Sequence, residues 1–354
     1  MAEIRPQDEC DLINRFFRDH KIGAVASIRK EGIAGKSFVT FHLKLAPGGR
    51  IASIESRLRE LAEEVSSFRG APTPVRLTQL PLGLEMSHPS PEPLALESSF
   101  KVQPQTMLMG KSYNFNGSAQ EESLNLKKVR HVLLAGETGS GKSNLLAVML
   151  TSFFTYTSPT DAKAVLIDLK NEDLVPFKHL PHVKRFAMSK DEMYQAIYDV
   201  HAELERRIRE NADHYQRLLL VIDELGEFHG EKEALKLLSS IMSRGRSKSI
   251  TVIGATQKPL ASIVGSVNKS NFTTRIVGKV MSDTDAEVAS DKPGTGAEHL
   301  PGEGSFLRVE QMQVRRFQAY YMEEPKEWTR RIPDLWMTQG ALPWVKVEEL
   351  AEAR

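Results

Sequence analysis

The sequence predicts an α/β fold, a mostly parallel sheet with helices on both faces, preceded by a smaller α+β domain. Three observations carry this. First, four short apolar strands (His131 to Ala135, Ala164 to Asp168, Leu218 to Asp223, Ile250 to Ala255) alternate with helical stretches at Lys142 to Phe154, Lys190 to Arg209 and Glu231 to Ser243. Strands that are apolar at nearly every position need cover on both faces, and strand–helix alternation supplies it with parallel strands. Second, Met86 to Ser99 (MSHPSPEPLALESS) is rich in proline and serine and reads as a linker or extended crossing. Third, the chain before it mixes helical and period-two patterns. Residues 1–85 are therefore expected to form an α+β domain, 86–100 a linker, 101–322 the α/β core, and 323–354 a tail too short for a domain.

In the first domain, Leu12, Ile13, Phe16 and Phe17 have the spacing of one amphipathic helix face, predicting a helix over Asp8 to Asp19. Phe38 to Leu45 alternates as a half-buried strand and ends at the turn Pro47-Gly48-Gly49. Ile51, Ile54, Leu58, Leu61, Ala62, Val65 and Phe68 predict one helix over Ile51 to Phe68. Val75 to Glu85 reads as a strand pair. The tail holds Trp328, Trp336 and Trp344, which would dock on the protein's own surface or on a partner protein, self-docking being preferred.

Composition narrows the function. Lys plus Arg is 47 and Asp plus Glu is 46, a formal net charge of +1. Nucleic-acid binding through bulk positive charge is excluded, whereas a local basic patch or a ring with a basic bore is not. Cys10 is the only cysteine, so there is no disulfide framework and no cysteine-rich zinc site. The charged start is no signal peptide, and no apolar run approaches the length of a membrane span. A cytoplasmic location is expected.

Gly136-Glu137-Thr138-Gly139-Ser140-Gly141-Lys142-Ser143 fits the phosphate-loop pattern G-x-x-x-x-G-K-S, and it follows a predicted strand and opens a predicted helix, as that pattern requires. Glycines let backbone N–H groups turn inward on phosphates, and the helix N-terminus adds positive potential. Lys142 would reach the β- and γ-phosphates of ATP, and Ser143 would ligate Mg2+. Leu218 to Glu224 is an apolar strand ending in two acids. Asp223 would hold the magnesium through a water, and Glu224 would align and deprotonate the attacking water. Gln257, just past the strand Ile250 to Ala255, would sense the γ-phosphate, a capping role being the bland alternative.

These segments resemble the FtsK/SpoIIIE family of double-stranded DNA translocases, in the FtsK–HerA superfamily. The resemblance runs over about residues 25 to 320, through HVLLAGETGSGKS, VLIDLK, LLVIDE, SRGRSKSITVIGATQKP, NFTTRIVGKV and GAEHLPGEGSFLRV. SFVTFHLKLAPGGRIASIESRLRELAEEV, VRL, GLEM and MLMGKSYNFNG extend it toward the N-terminus, where it resembles the family's small motor subdomain.

The resemblance implies a RecA-like P-loop ATPase core, a homo-oligomeric, hexameric ring around duplex DNA, and ATP hydrolysis at subunit interfaces. It places the family's trans-acting arginine on Arg246, with Arg244 and Arg275 as fallbacks; a solvated basic cluster is the alternative. It places DNA contact on Lys258 and Lys269, ordinary surface lysines being the alternative. The family's later basic pair falls on Asp283 and Glu287, a departure. The membrane spans and winged-helix module of the division motors have no counterpart in the sequence, so a stand-alone motor is expected. A conjugative coupling or DNA-packaging ATPase, and a scaffold ring that binds nucleotide only to assemble, are the alternatives. Glu224 speaks against the scaffold, which needs no catalytic base.

Overall fold

The computed structural model describes residues 4–28, 33–34, 38–79, 82–88, 92–97, 100–113, 119–258, 271–310 and 313–338. Helix α1 (Pro6–Asp19) opens the small domain and buries Leu12, Ile13, Phe16 and Phe17. It packs on an antiparallel sheet of β1 (Ala24–Ser27), β2 (Ile33–Ala34), β3 (Phe38–Leu45), β4 (Arg76–Gln79) and β5 (Leu82–Ser87). The helix predicted over Ile51 to Phe68 is two, α2 (Ile51–Glu55) and α3 (Leu58–Arg69), because the chain leaves helical dihedrals at Arg57 (φ −119°, ψ 11°). Leu61 and Val65 are buried, but Phe68 is 41% exposed. Periodicity identifies a face, not how far along the helix its cover extends.

Among the described residues, ten strands form the large sheet, in the order β10-β9-β11-β12-β8-β13-β14-β15-β6-β7. The first six, β10 (Val183–Ala187), β9 (Ala162–Ile167), β11 (Arg217–Ile222), β12 (Ile250–Thr256), β8 (Val132–Ala135) and β13 (Thr274–Val277), are mutually parallel. β14 (Ser305–Glu310), β15 (Gln313–Ala319), β6 (Thr106–Tyr113) and β7 (Ala119–Asn125) extend it antiparallel. The apolar strands serve two cores. Leu134, Leu166, Leu219, Val221 and Ile253 face α4 (Lys142–Tyr156), which is buried almost all round. Leu133, Val165, Leu220, Ile222 and Val252 face α5 (Lys190–Glu210) and α6 (Lys232–Arg244). Ser189 caps α5 with the reciprocal bonds of a capping box to Glu192.

The stretch read as a linker is docked where it is described. Leu96 N–H donates to Tyr321 O at 3.0 Å, Tyr321 N–H donates to Leu94 O at 2.7 Å, and Leu96 and Phe100 are buried. The two domains are joined by buried ions. Glu85 accepts from Arg76 (2.6 Å) and Arg316 (3.4 Å), and Arg76 Nε also donates to Thr295 O. Burial alone would raise the Glu85 carboxyl, but the two guanidinium groups outweigh it and hold it below its usual range. The tail packs on the core: Trp328 lies against Phe100, and Trp336 Nε1 donates to Phe154 O at 3.0 Å. Trp344 lies outside the described residues.

Candidate active site: a phosphate loop and two strand-end acids

The sheet order explains the site. β12 lies between β8, which feeds the phosphate loop, and β11, which ends at Asp223 and Glu224, so all three functional groups emerge at one edge of the sheet. The loop is fixed from both sides. Gly136 N–H donates to Thr256 O (3.1 Å) and Glu137 N–H donates to Lys279 O (2.8 Å). Behind it, Glu303 and Gly304 N–H groups donate to the Gly139 and Ser140 carbonyls at 3.0 and 2.9 Å. Gly141 has φ 91°, and a Cβ there would lie 2.7 Å from the backbone nitrogen of Gly304, so only glycine fits. α4 then starts at Lys142 with no side-chain cap, leaving its first-turn N–H groups directed at the loop.

Two buried, opposite charges face each other in the cradle. Lys142 Nζ and Asp223 Oδ1 are 3.6 Å apart, and their side chains are only 4% and 6% exposed. Neither atom makes a hydrogen bond, and Ser140 Oγ beside them makes none either. Buried polar groups are normally satisfied, so these orphans mark a place made for a ligand. Burial pushes the Asp223 carboxyl up to about 7 against the pull of Lys142, and Asp173 and Asp168 add to the push.

This donor set fits a nucleotide with a hard cation: an ammonium, a hydroxyl, a carboxylate and inward N–H groups. Among the described residues, no group of three or more His, Cys, Asp or Glu could hold a metal ion. Mg2+ held by one or two side chains plus substrate phosphates matches that sparse set.

Glu224 is tied to the neighbouring strand. Its Oε1 accepts from Gly226 N–H (2.9 Å) and Thr256 Oγ1 (2.8 Å), and its Oε2 accepts from Gln257 N–H (2.9 Å). Gln257 thus meets Glu224 through its backbone. Lys258 follows, exposed, its carbonyl accepting from Thr256 Oγ1; Lys269 lies outside the described residues. Asp283 and Glu287 are exposed on the helix Asp283–Ser290.

Arg246 precedes β12, at the end of the sheet opposite its own phosphate loop. It is exposed and lines a cavity of 490 Å³ with Arg130, Arg244 and Asn271. Arg244 is paired with Glu205. Arg275 is buried, its guanidinium held by the Ala289 carbonyl at 3.1 Å and 3.5 Å from Asp291, so it cannot reach into a neighbouring subunit as a fallback arginine.

One residue at the site escaped the sequence reading. Asp173 Oδ2 accepts a short hydrogen bond from Ser143 Oγ. Its signal lay in the turn after β9, where Asp168 is followed by a second run of acids, Glu172 and Asp173.

Fold and cradle together define a P-loop ATPase. Within that class, residues 98–260 match the FtsK/SpoIIIE family model. It is 28% identical to the DNA translocase FtsK of Chlorobaculum tepidum, over 91% of this chain and 44% of that protein. Against the DNA translocase FtsK of Mycobacterium tuberculosis it is 26% identical, over 82% of this chain and 39% of that protein. The chain thus spans less than half the length of these relatives. In fold it is similar to the pCW3 conjugation coupling protein TcpA, in monomer form with ATPγS (TM-score 0.58, 18% identity, 91% of this chain and 99% of that one). The cytoplasmic domain of the Thermomonospora curvata Type VII secretion ATPase EccC has the same TM-score, 0.58, with 20% identity over 72% of this chain and 34% of that one.

Proposed function

We propose that the chain is the motor of an ATP-driven double-stranded DNA translocase, acting in the cytoplasm as a homo-oligomeric, hexameric ring. The observation that carries this is the cradle: Lys142 and Asp223, buried and without hydrogen bonds at their facing atoms, stand at the same sheet edge as Glu224. Lys142 Nζ donates to the β- and γ-phosphates, and Ser143 and Asp223 hold Mg2+. The cation supplies neutralisation of phosphate charge. Glu224 takes the proton of the attacking water. Gln257 reports the γ-phosphate to the segment that follows it.

Arg246 acts on a neighbour's nucleotide, because it lies across the sheet from its own loop. Duplex DNA is contacted through Lys258 and Lys269, few contacts per subunit multiplied by the ring, in keeping with the net charge of +1. A DNA-delivering coupling ATPase is the second reading, favoured by the 99% coverage of TcpA.

ATP hydrolysis measured without DNA, with linear duplex and with circular single strands tests the reading. Duplex should stimulate hydrolysis, with binding of two unrelated duplexes falling along a log–log salt slope of roughly −3 to −6, at about −0.9 per phosphate contact. Lys258→Ala with Lys269→Ala should flatten that slope and abolish stimulation, leaving basal hydrolysis. Stimulation by single strands alone would favour the coupling reading; no stimulation by either would overturn both.

A further inference from the structure

The hydroxyl of Ser143 raises a question of orientation. An oxygen that ligates a cation must point its lone pairs at the metal and its proton elsewhere. Here the proton has a defined acceptor, and it is not Asp223. Ser143 Oγ donates to Asp173 Oδ2, thirty positions along the chain.

A third acid builds this contact. Asp168, at the tip of β9, is fully buried, and its Oδ2 accepts from the N–H groups of Glu172 (3.0 Å) and Leu174 (3.0 Å). These two bonds bracket Asp173 and hold the turn that carries it over Ser143. Leu174 anchors the turn from beneath, fully buried in the core that also holds α4. Asp173 itself is half-buried at the mouth of the cradle. The ligand-directed atoms beside it, Lys142 Nζ and Asp223 Oδ1, are those left without hydrogen bonds.

We propose that Asp173 is a positioning residue of the cation site: it accepts the Ser143 hydroxyl hydrogen bond, fixes the hydroxyl oxygen toward the metal and raises its donor strength, while Asp168 sets the turn that makes this possible. Outer-shell partners of metal ligands act in this way. The inference rests on the nucleotide-and-magnesium reading above and adds to it a residue outside both the phosphate loop and the strand-end acids.

The test is binding of a fluorescent ADP to the full chain, in EDTA and along a Mg2+ titration. The wild type should bind more tightly as Mg2+ rises. Asp173→Ala should move the Mg2+ midpoint upward by about 10- to 100-fold, the scale for outer-shell partners, with affinity in EDTA and thermal midpoint unchanged. Asp173→Asn keeps an acceptor oxygen and should recover most of the shift. In a Ser143→Ala background, Asp173→Ala should add little, because the two residues act as one unit. An unchanged midpoint in Asp173→Ala, or an equal loss of affinity in EDTA, overturns the role of Asp173 and leaves the nucleotide site standing. A wild type whose nucleotide binding ignores Mg2+ overturns both.

Discussion

Glu224 shows what one residue must do in two settings. With three donors on its two oxygens, the carboxylate is held against Gly226, Thr256 and Gln257. To accept a proton from water it needs a free lone pair: Oε1, with two donors, has none to spare, and Oε2, with one, keeps it. The same bonds tie the base to the peptide that leads into Lys258, so movement of that peptide is felt at the carboxylate. Glu224→Gln keeps the shape and removes the base. It should bind ATP with near wild-type affinity and turn over at least about 100-fold more slowly, as expected for loss of a general base. Single-turnover hydrolysis beside nucleotide binding checks this, and wild-type turnover in the variant would remove Glu224 from the chemistry.

At the scale of elements, two buried histidines pin strands to their surroundings. His131, just before β8, joins the Met242 carbonyl at the end of α6 (2.8 Å) and accepts from Val252 N–H in β12 (3.0 Å). His182, before β10, joins the Thr157 carbonyl past the end of α4 (2.7 Å). Burial pushes both down to about 4. An unfolded histidine binds its proton near 6.5, so between pH 6.5 and 4 the unfolded chain holds protons that the folded one does not. Stability is therefore fully present above pH 6.5 and falls as pH drops toward 4, by something on the order of 3 kcal/mol for each histidine. Denaturant midpoints at pH 7, 5.5 and 4.5 should fall in that order. His131→Gln and His182→Gln should each flatten part of the fall, and an unaltered pH dependence in both single variants would place its cause elsewhere.

For the whole molecule, the position of Arg246 matters most. One end of the sheet carries the cradle and the other carries Arg246, so the two cannot meet within a single chain. In the proposed ring, neighbours would bring them together, while the buried Arg76–Glu85–Arg316 joint ties the small domain to β15 of the large sheet. Arg246→Ala and Lys142→Ala should each abolish hydrolysis alone. Mixed one to one, they should recover partial activity, since about a quarter of the interfaces in a randomly mixed ring carry both intact halves. Full activity in Arg246→Ala alone, or no recovery on mixing, would mean that the arginine serves no neighbour.

Features whose chemistry is contiguous are legible in the residues alone. The phosphate loop, the paired acids after Leu218 to Ile222 and the strand–helix alternation are local patterns, since loop glycines, an apolar strand and a helix start constrain one another within a few residues. Strand ends and helix ends were legible to within a residue or two for the same reason. Which distant groups meet emerges only in the folded chain. The placing of Asp173 on Ser143, the tie from Glu224 to Thr256 and Gln257, and the backing of Gly141 by Gly304 join residues far apart in the chain. So does the antiparallel extension through β14, β15, β6 and β7, whose register depends on pairing partners that no single strand encodes. Burial settled the rest. Arg275, a fallback for a trans-acting arginine, and Trp336, expected to dock on the protein's own surface, each find an acceptor within the chain, because a desolvated guanidinium or indole N–H must find one.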